Sequence, residues 1–373
     1  MTTKAASPST SFTARRINAT TFLITEDDSY DEHPFIYAKL HPTAPVLILS
    51  DTGCDSPREK GVSLTHLRQF LEEFPVPEND DRPINGGPEK RAYFVICTHC
   101  HYDHIGGIEQ FVTHRAISGG SDTTTQILAS AAGKAFIEDD LPAHSLCEFR
   151  GMPTPRYKVT HWAEDLQHFC WHSDSGITEP SAESRSFELK PERLQKVDEA
   201  GIMILQTPGH TPDSLAWYDV DERWLYTGDT FYEMGEEGMP IIFPAEGDWV
   251  EFVASLRKLL EFVRKENAAT VPTDASDVGS YDEADEEQWT IVQKRVKVGC
   301  AHTTAGVDGE EIVEAVIELF EKIIAGKVPV MFSKEVRGEV YDLWCEDGQS
   351  RFSVRAPRRL CEEARKHCDA SCS

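Results

Sequence analysis

The chain is expected to be an α/β protein in four layers, two sheets packed face to face with helices on both outer faces. Three observations predict this. Apolar runs of strand length recur, among them residues 92–97, 201–206 and 296–300. Strand runs are followed by segments with apolar residues at helical spacing: Leu64, Leu67, Leu71 and Phe74, then Trp249, Phe252, Val253, Leu256, Leu260 and Val263, then Ile312, Val313, Val316, Phe320, Ile323 and Ile324. The two halves share this order without any internal repeat, which suits helices covering the outsides of paired sheets.

In chain order, residues 1–12 read as disordered and 16–24 as a strand. An acidic hairpin tip and a partner strand at 34–40 follow. A third strand at 45–50 ends in Asp51-Thr52-Gly53. Residues 63–74 form an amphipathic helix, and 75–90, with their Pro and Gly, form a loop. The strand at 92–97 enters a histidine-rich turn that exits through Gly106-Gly107 into a helix. After a short strand at 126–129, residues 131–195 carry little periodicity. This stretch is longer than a plain connection and reads as an insertion that shapes a pocket. Its His144, His161, His168 and His172 are irregularly spaced, so they take packing or polar roles rather than a second metal.

The strand at 201–206 ends in Thr207-Pro208-Gly209-His210. A hairpin of 214–220 and 223–227 ends in Gly228-Asp229-Thr230-Phe231-Tyr232. The strand at 296–300 leads to Ala301-His302. One domain is thus assigned to 13–326, with insertions at about 131–195 and 268–290. Gly326 and Pro329 stop the last helix of that domain. Residues 327–373 form an extension, with strands at 339–344 and 351–354, that packs on the same domain. The tail with Cys361, His367, Cys368 and Cys372 reads as a frayed terminus.

The formal charge of −27 over 373 residues argues against nucleic-acid partners and anionic membrane surfaces, which call for clustered Lys and Arg. The acidic runs at 26–32 and 274–287 read as solvated loops. No apolar run reaches the roughly 18–20 residues of a membrane span. The ten cysteines are scattered without a C-x-x-C pair, and the start lacks the apolar core of a secretory signal. A cytoplasmic chain with reduced thiols is expected. Nothing here sets its oligomeric state.

The chemistry concentrates in Thr98-His99-Cys100-His101-Tyr102-Asp103-His104-Ile105-Gly106-Gly107. Three imidazoles and a carboxylate within six positions would compete for protons and water unless a cation held them. The donor types suit zinc, with iron or manganese as alternatives. In extended backbone His99 and His101 point one way and Cys100 the other, leaving Asp103 and His104 beyond the turn for a second metal.

This motif, followed in order by Pro208-Gly209-His210, Asp229 and His302, resembles the signature of the metallo-β-lactamase-fold hydrolases over roughly residues 16–325. The resemblance implies an αββα sandwich and two zinc sites. One would use His99, His101 and His210, the other Asp103, His104 and His302, with Asp229 between them. Asp51 would support the site from behind. The family's Gly before the last histidine is Ala301 here. The implied reaction is attack on a carbonyl by a hydroxide shared between the metals, with Asp103 passing a proton to the leaving group.

Tyr232, three residues after Asp229, resembles the D-x-x-Y of N-acyl homoserine lactone lactonases, where the phenol assists at the carbonyl. The expected substrate is a small cyclic ester or amide. The insertion and extension also look like those of fungal members that open lactone or lactam rings of small aromatic compounds. Phe231 and Tyr232 are then substrate contacts, with Trp162 and Trp171 suited to a flat ligand. A glyoxalase II-like thioesterase is the alternative within enzymes, although no Lys/Arg cluster flanks the motifs to receive glutathione. A mononuclear-iron sulfur dioxygenase would not need all seven ligand types. A catalytically inactive metal-binding scaffold would have lost ligands, and none is lost.

Overall fold

The computed structural model describes residues 8–88, 90–112, 125–172, 176–178, 201–236, 238–269, 294–348 and 350–371. The first sheet takes its strands in sequence order: β1 (Phe12–Arg16), β2 (Thr21–Glu26), β3 (Phe35–Leu40), β4 (Val46–Ser50), β5 (Ala92–Ile96), β6 (Thr125–Ser130) and β7 (His161–Ala163). From β4 to β7 neighbouring strands are parallel. The second sheet contains β8 (His168–His172), β9 (Gly176–Thr178), β10 (Gly201–Gln206), β11 (Leu215–Asp219) and β12 (Trp224–Tyr226). After β13 (Ile241–Ile242) departs to a third sheet, β14 (Lys297–Gly299) and β15 (Ala305–Asp308) complete the second. Its spatial order is β15-β14-β12-β11-β10-β8-β9.

Side-chain alternation shows how the layers form. Ile48, Phe94, Ile96 and Leu128 face Ile202, Ile204, Leu215, Trp217 and Tyr226 across the space between the sheets. Their neighbours Leu47, Leu49, Tyr93, Val95 and Ile127 point outward, where α1 (Leu67–Glu73) covers them with Leu67, Phe70 and Leu71. On the other side Leu205, Ala216, Tyr218 and Leu225 meet α2 (Trp249–Ala268) and α3 (Gly309–Ile324). Asp248 and Asp308 start these two helices, each accepting from two backbone N–H groups of the first turn.

Four expectations change. Residues 131–195 are not wholly an insertion: β7 completes the first sheet and β8 pairs with β10 in the second. Strands of three to five residues flanked by polar side chains left too short a period to read. The N-terminal arm is ordered from residue 8, with Thr10 bridging to Leu64. Residues 1–7, 179–200 and most of the 268–290 insertion lie outside the described residues.

The extension gains a strand and a helix. β16 (Val330–Val336), β17 (Glu339–Cys345) and β18 (Ser353–Pro357) form a third sheet with β13. The tail is helix α4 (Arg358–Ser371), seated through buried Leu360, Cys361 and Ala364.

At the end of the sandwich away from the histidine-rich turn, Lys39 is fully buried and pairs with Asp219 at 2.8 Å and Asp221 at 3.6 Å. Lys39→Met leaves Asp219 without its cation and is expected to cost about 3–5 kcal/mol, whereas Lys39→Met with Asp219→Leu recovers most of it. Urea unfolding of both variants checks this; equal losses would show that packing, not charge, sets the cost.

Candidate metal centre

Four strands of the sandwich end at one place. β5 delivers His99, His101, Asp103 and His104; β10 leads to His210, β12 to Asp229 and β14 to His302. The side chains form two buried groups, His99/His101/His210 and Asp103/His104/Asp229/His302, whose donor atoms lie within 4.8 Å of one another. The backbone stays extended through His101 and then turns into a short helix (Tyr102–Ile105) that carries Asp103 and His104. Cys100 points the other way, into the outer core. The turn can seat against Thr52-Gly53-Cys54 because it ends in Gly106-Gly107. A Cβ at either glycine would lie 2.4 Å from a carbonyl oxygen of that loop.

The spacing tests whether a cation fits. His101 Nδ1 is 2.9 Å from His99 Nε2 and 3.2 Å from His210 Nε2, and one ring nitrogen cannot satisfy both with a single proton. Tetrahedral ligands about 2.0–2.1 Å from a zinc ion stand about 3.3 Å apart. In the second group His104 Nε2 lies 3.2 Å from Asp103 Oδ2 and 3.4 Å from Asp229 Oδ1. His302 Nε2 lies 3.4 Å and 3.3 Å from the same two oxygens. Although they face each other, neither His104 Nε2 nor Asp229 Oδ1 makes a well-formed hydrogen bond. The other oxygen of Asp229 turns to the first group, 4.0 Å from His99 and 3.9 Å from His210. Both sets therefore fit a divalent cation, with Asp229 facing each.

The electrostatics of the two groups differ. Burial and the adjacent imidazoles hold His99 well below the ordinary histidine range. Burial pushes His101 down to about 3 and also lowers His210. These three rings are neutral, as ligands must be. At His104 burial opposes charge, but Asp103, Asp229 and Asp51 outweigh it and hold the ring well above the ordinary range. Asp229 and Asp103 likewise overcome burial at His302 and lift it to about 10. Asp103 and Asp229 are held low against burial by the same histidines. Without a cation, the two carboxylates favour the protonated form of His104 and His302.

The atoms behind the ligands are also engaged. Asp51 receives His104 Nδ1 at 3.0 Å and both the N–H and the hydroxyl of Thr98 at 2.8 Å. His302 Nδ1 donates to the Glu32 carbonyl at 2.9 Å. That carbonyl is set by Asp28, fully buried, which accepts from the N–H groups of Tyr30, Glu32 and His33. The acidic run at 26–32 is thus no solvated loop: Glu26 and Asp28 are buried, and only part of the run faces water. Ala301, in the family's glycine position, needs no left-handed backbone; the positive φ of 44° falls two residues on, at Thr303.

Other candidate contacts are placed differently. Phe231 is buried in the core cluster shared with α2 and α3. Tyr232 packs against the His302 ring at 5.2 Å, but its hydroxyl donates to the Pro240 carbonyl at 3.0 Å and accepts from Ile242 N–H. Trp171 lies buried between the sheets beside Phe94, and Trp162 lies under Lys134. Asp28 and Glu32, which fix His302 from behind, and Arg150, which pairs with the Glu32 carboxylate, carried no sequence signal of a site. Each lies far in sequence from the motif, and its only local signal, an acidic or basic residue in a loop, reads as solvation.

A family model for the metallo-beta-lactamase superfamily matches residues 47–272, and the chain belongs to that superfamily. Among curated proteins it is similar to "Putative transcription factor avaE" of Aspergillus versicolor, 29% identical over 98% of this chain and 91% of that one. It is also similar to acyl-coenzyme A thioesterase MBLAC2 of Gallus gallus, 22% identical over 48% of this chain and 54% of that one. The chain thus spans about half of that thioesterase. Among solved structures, a metallo-beta-lactamase family protein from Thermus thermophilus aligns over 84% of each chain with 14% identity and a TM-score of 0.46.

Two outcomes are expected. Asp51→Ala removes the acceptor that orients His104 and lowers metal affinity about 10–100-fold, read by titration against a competing chelator; unchanged affinity would detach Asp51 from the centre. Loading the cation-free protein at pH 7 displaces protons from His104 and His302, so affinity falls as pH is lowered. Calorimetry in buffers of different ionisation enthalpy detects the released protons, and buffer-independent heats would contradict this.

Proposed function

We propose that this chain is a dinuclear metal-dependent hydrolase that attacks the carbonyl carbon of a small cyclic ester or amide. The observation that carries the reading is Asp229, one oxygen turned to a three-histidine set and the other to a set of two histidines and a carboxylate. When bound, two divalent cations supply water activation near neutral pH and Lewis-acid polarisation of the carbonyl. Zinc suits the nitrogen-rich donor set, with iron or manganese as alternatives.

The residues' own contributions follow from their placement. His99, His101 and His210 would hold one cation through neutral nitrogens, and Asp103, His104 and His302 a second. Asp229 fixes the distance between the two positions. Asp103 directs Oδ2 at His104 and His302 and carries a proton towards the leaving group on its other oxygen. Burial of all seven side chains keeps bulk water away from the reacting atoms. With its hydroxyl on Pro240, Tyr232 positions residues 240–242 beside His302; an oxyanion role would require that bond to break.

A thioester is the second reading, favoured by the similarity to thioesterases over about half the chain. A role in transcription, carried by the name of the Aspergillus versicolor relative, has less support. A net charge of −27 opposes DNA binding, and seven metal-type ligands answer to hydrolysis instead. No helix among the described residues is long and apolar enough to cross a membrane.

Elemental analysis of the purified chain is expected to give close to two metals. It would be run beside hydrolysis of an aryl lactone, a benzo-fused lactam, an acyl homoserine lactone and an acyl-thioester. His101→Ala and Asp229→Ala should abolish turnover and reduce metal content; activity retained in either would refute the metal mechanism. Tyr232→Phe should lower stability by about 1 kcal/mol and slow turnover less than tenfold. A loss of about 10²–10³ would return the phenol to the oxyanion.

A further inference from the structure

We propose that Arg150 and Phe149 form the recognition edge of this site, and that the substrate carries an anionic group that this edge receives. This rests on the hydrolase reading and adds a substrate class to it. The short helix Cys147–Arg150 is seated on the metal motif itself. Tyr102 N–H donates to the Ser145 carbonyl at 2.9 Å, and Cys147 is buried against Cys54 and Tyr102. From there the Arg150 guanidinium lies 4.9 Å over the Tyr102 ring and 5.6 Å over Tyr30. It also pairs with the Glu32 carboxylate, which takes the Tyr102 hydroxyl as well. The backbone carbonyl of the same Glu32 holds His302. One residue thus connects the guanidinium to a ligand of the candidate centre.

The pair stands at the surface with its guanidinium partly open to an incoming group. Here Glu32 is 14% exposed in its side chain and Arg150 34%. A guanidinium offers five N–H donors in a planar fork; Glu32 and the Tyr102 hydroxyl engage part of it, with Nη2 on Glu32. Beside it Phe149 is 56% exposed, and the Arg337 guanidinium from the β16–β17 turn lies 3.6 Å over its ring. An exposed aromatic ring and a second cation from a distant turn therefore stand beside the Arg150–Glu32 pair, which itself borders Asp103 and His302.

Charge gives this edge its meaning. Asp51, Asp103, Asp229 and Glu32 surround the centre, and the chain as a whole carries −27. Outside the cations of the centre, Arg150 is, among the described residues, the guanidinium that stands nearest this edge, where it feels both Asp103 and Glu32, and its planar fork can receive an anion with bidentate geometry. The group it would take is a carboxylate or a phosphate. The first would come from a carboxylated aryl lactone, the second from the carrier of an acyl-thioester, with the apolar part of either on Phe149.

The test uses the full chain loaded with zinc. Two matched pairs are compared: an aryl lactone with and without a carboxylate, and acyl-coenzyme A with the acyl-thioester of N-acetylcysteamine. Arg150→Met should lower the anionic-to-neutral ratio of kcat/KM at least tenfold, mainly through KM, for the pair that matches the natural substrate, and Arg150→Lys should restore part of it. The pair that responds identifies carboxylate or phosphate as the source. An equal change in both members of both pairs would overturn the proposal, as would no change in either.

Arg150→Met leaves Glu32 unpaired, so Glu32→Gln with Arg150→Met is measured alongside it and should show the same fall in ratio. Calorimetric binding of the carboxylated lactone and of coenzyme A reads the proposal without turnover. Affinity for both that is the same in wild type and Arg150→Met overturns it. Absence of hydrolysis of all four compounds at full metal content counts against the hydrolase reading instead.

Discussion

A buried carboxylate standing between two sets of imidazoles is the interaction on which this structure depends. Asp229 contributes charge that neither set could do without. Its Oδ1 faces His104 and His302, its Oδ2 faces His99 and His210. Burying so many polar rings is unfavourable unless each nitrogen finds an acceptor or a cation. The arrangement requires four loops to converge within a few ångströms, which in turn requires β5, β10, β12 and β14 to end at the same level. Parallel pairing of β4 with β5, and of β12 with β14, sets that level.

Behind the ligands, rigidity comes from carboxylates that never approach the reacting atoms. Asp51 fixes one imidazole directly, while Asp28 acts through backbone by folding residues 29–33 so that a carbonyl meets His302. These groups are as buried as the ligands themselves. The acidity of the chain is therefore partly architectural, and the formal charge overstates how much of it faces water.

The gathering of the seven candidate ligand side chains into two groups was legible in the sequence because they occur at close spacing after apolar runs, and the inter-sheet core because strand alternation has a simple period. The supporting shell was not. Asp28 and Glu32 lie in a run of acids whose surface members, Asp27 and Asp31, look the same on paper; burial is decided by the chain that folds over them. Arg150 is separated from Tyr102 by nearly fifty residues with no periodic signal. β7 and β16 escaped for different reasons, the first being three residues long and the second exposed along almost its whole length. Tyr232 shows the limit of motif spacing: the interval from Asp229 is as the lactonases have it, yet the direction of the hydroxyl is set by Pro240, eight residues further on.

The ligands are also spread along the chain, from His99 to His302. A growing polypeptide has half of the centre early and the last histidine only when most of the chain has been made. Folding of the first sheet during synthesis would leave His99, His101, Asp103 and His104 waiting for His210, Asp229 and His302. Completion of the two groups therefore waits until His302, late in the chain, has been made.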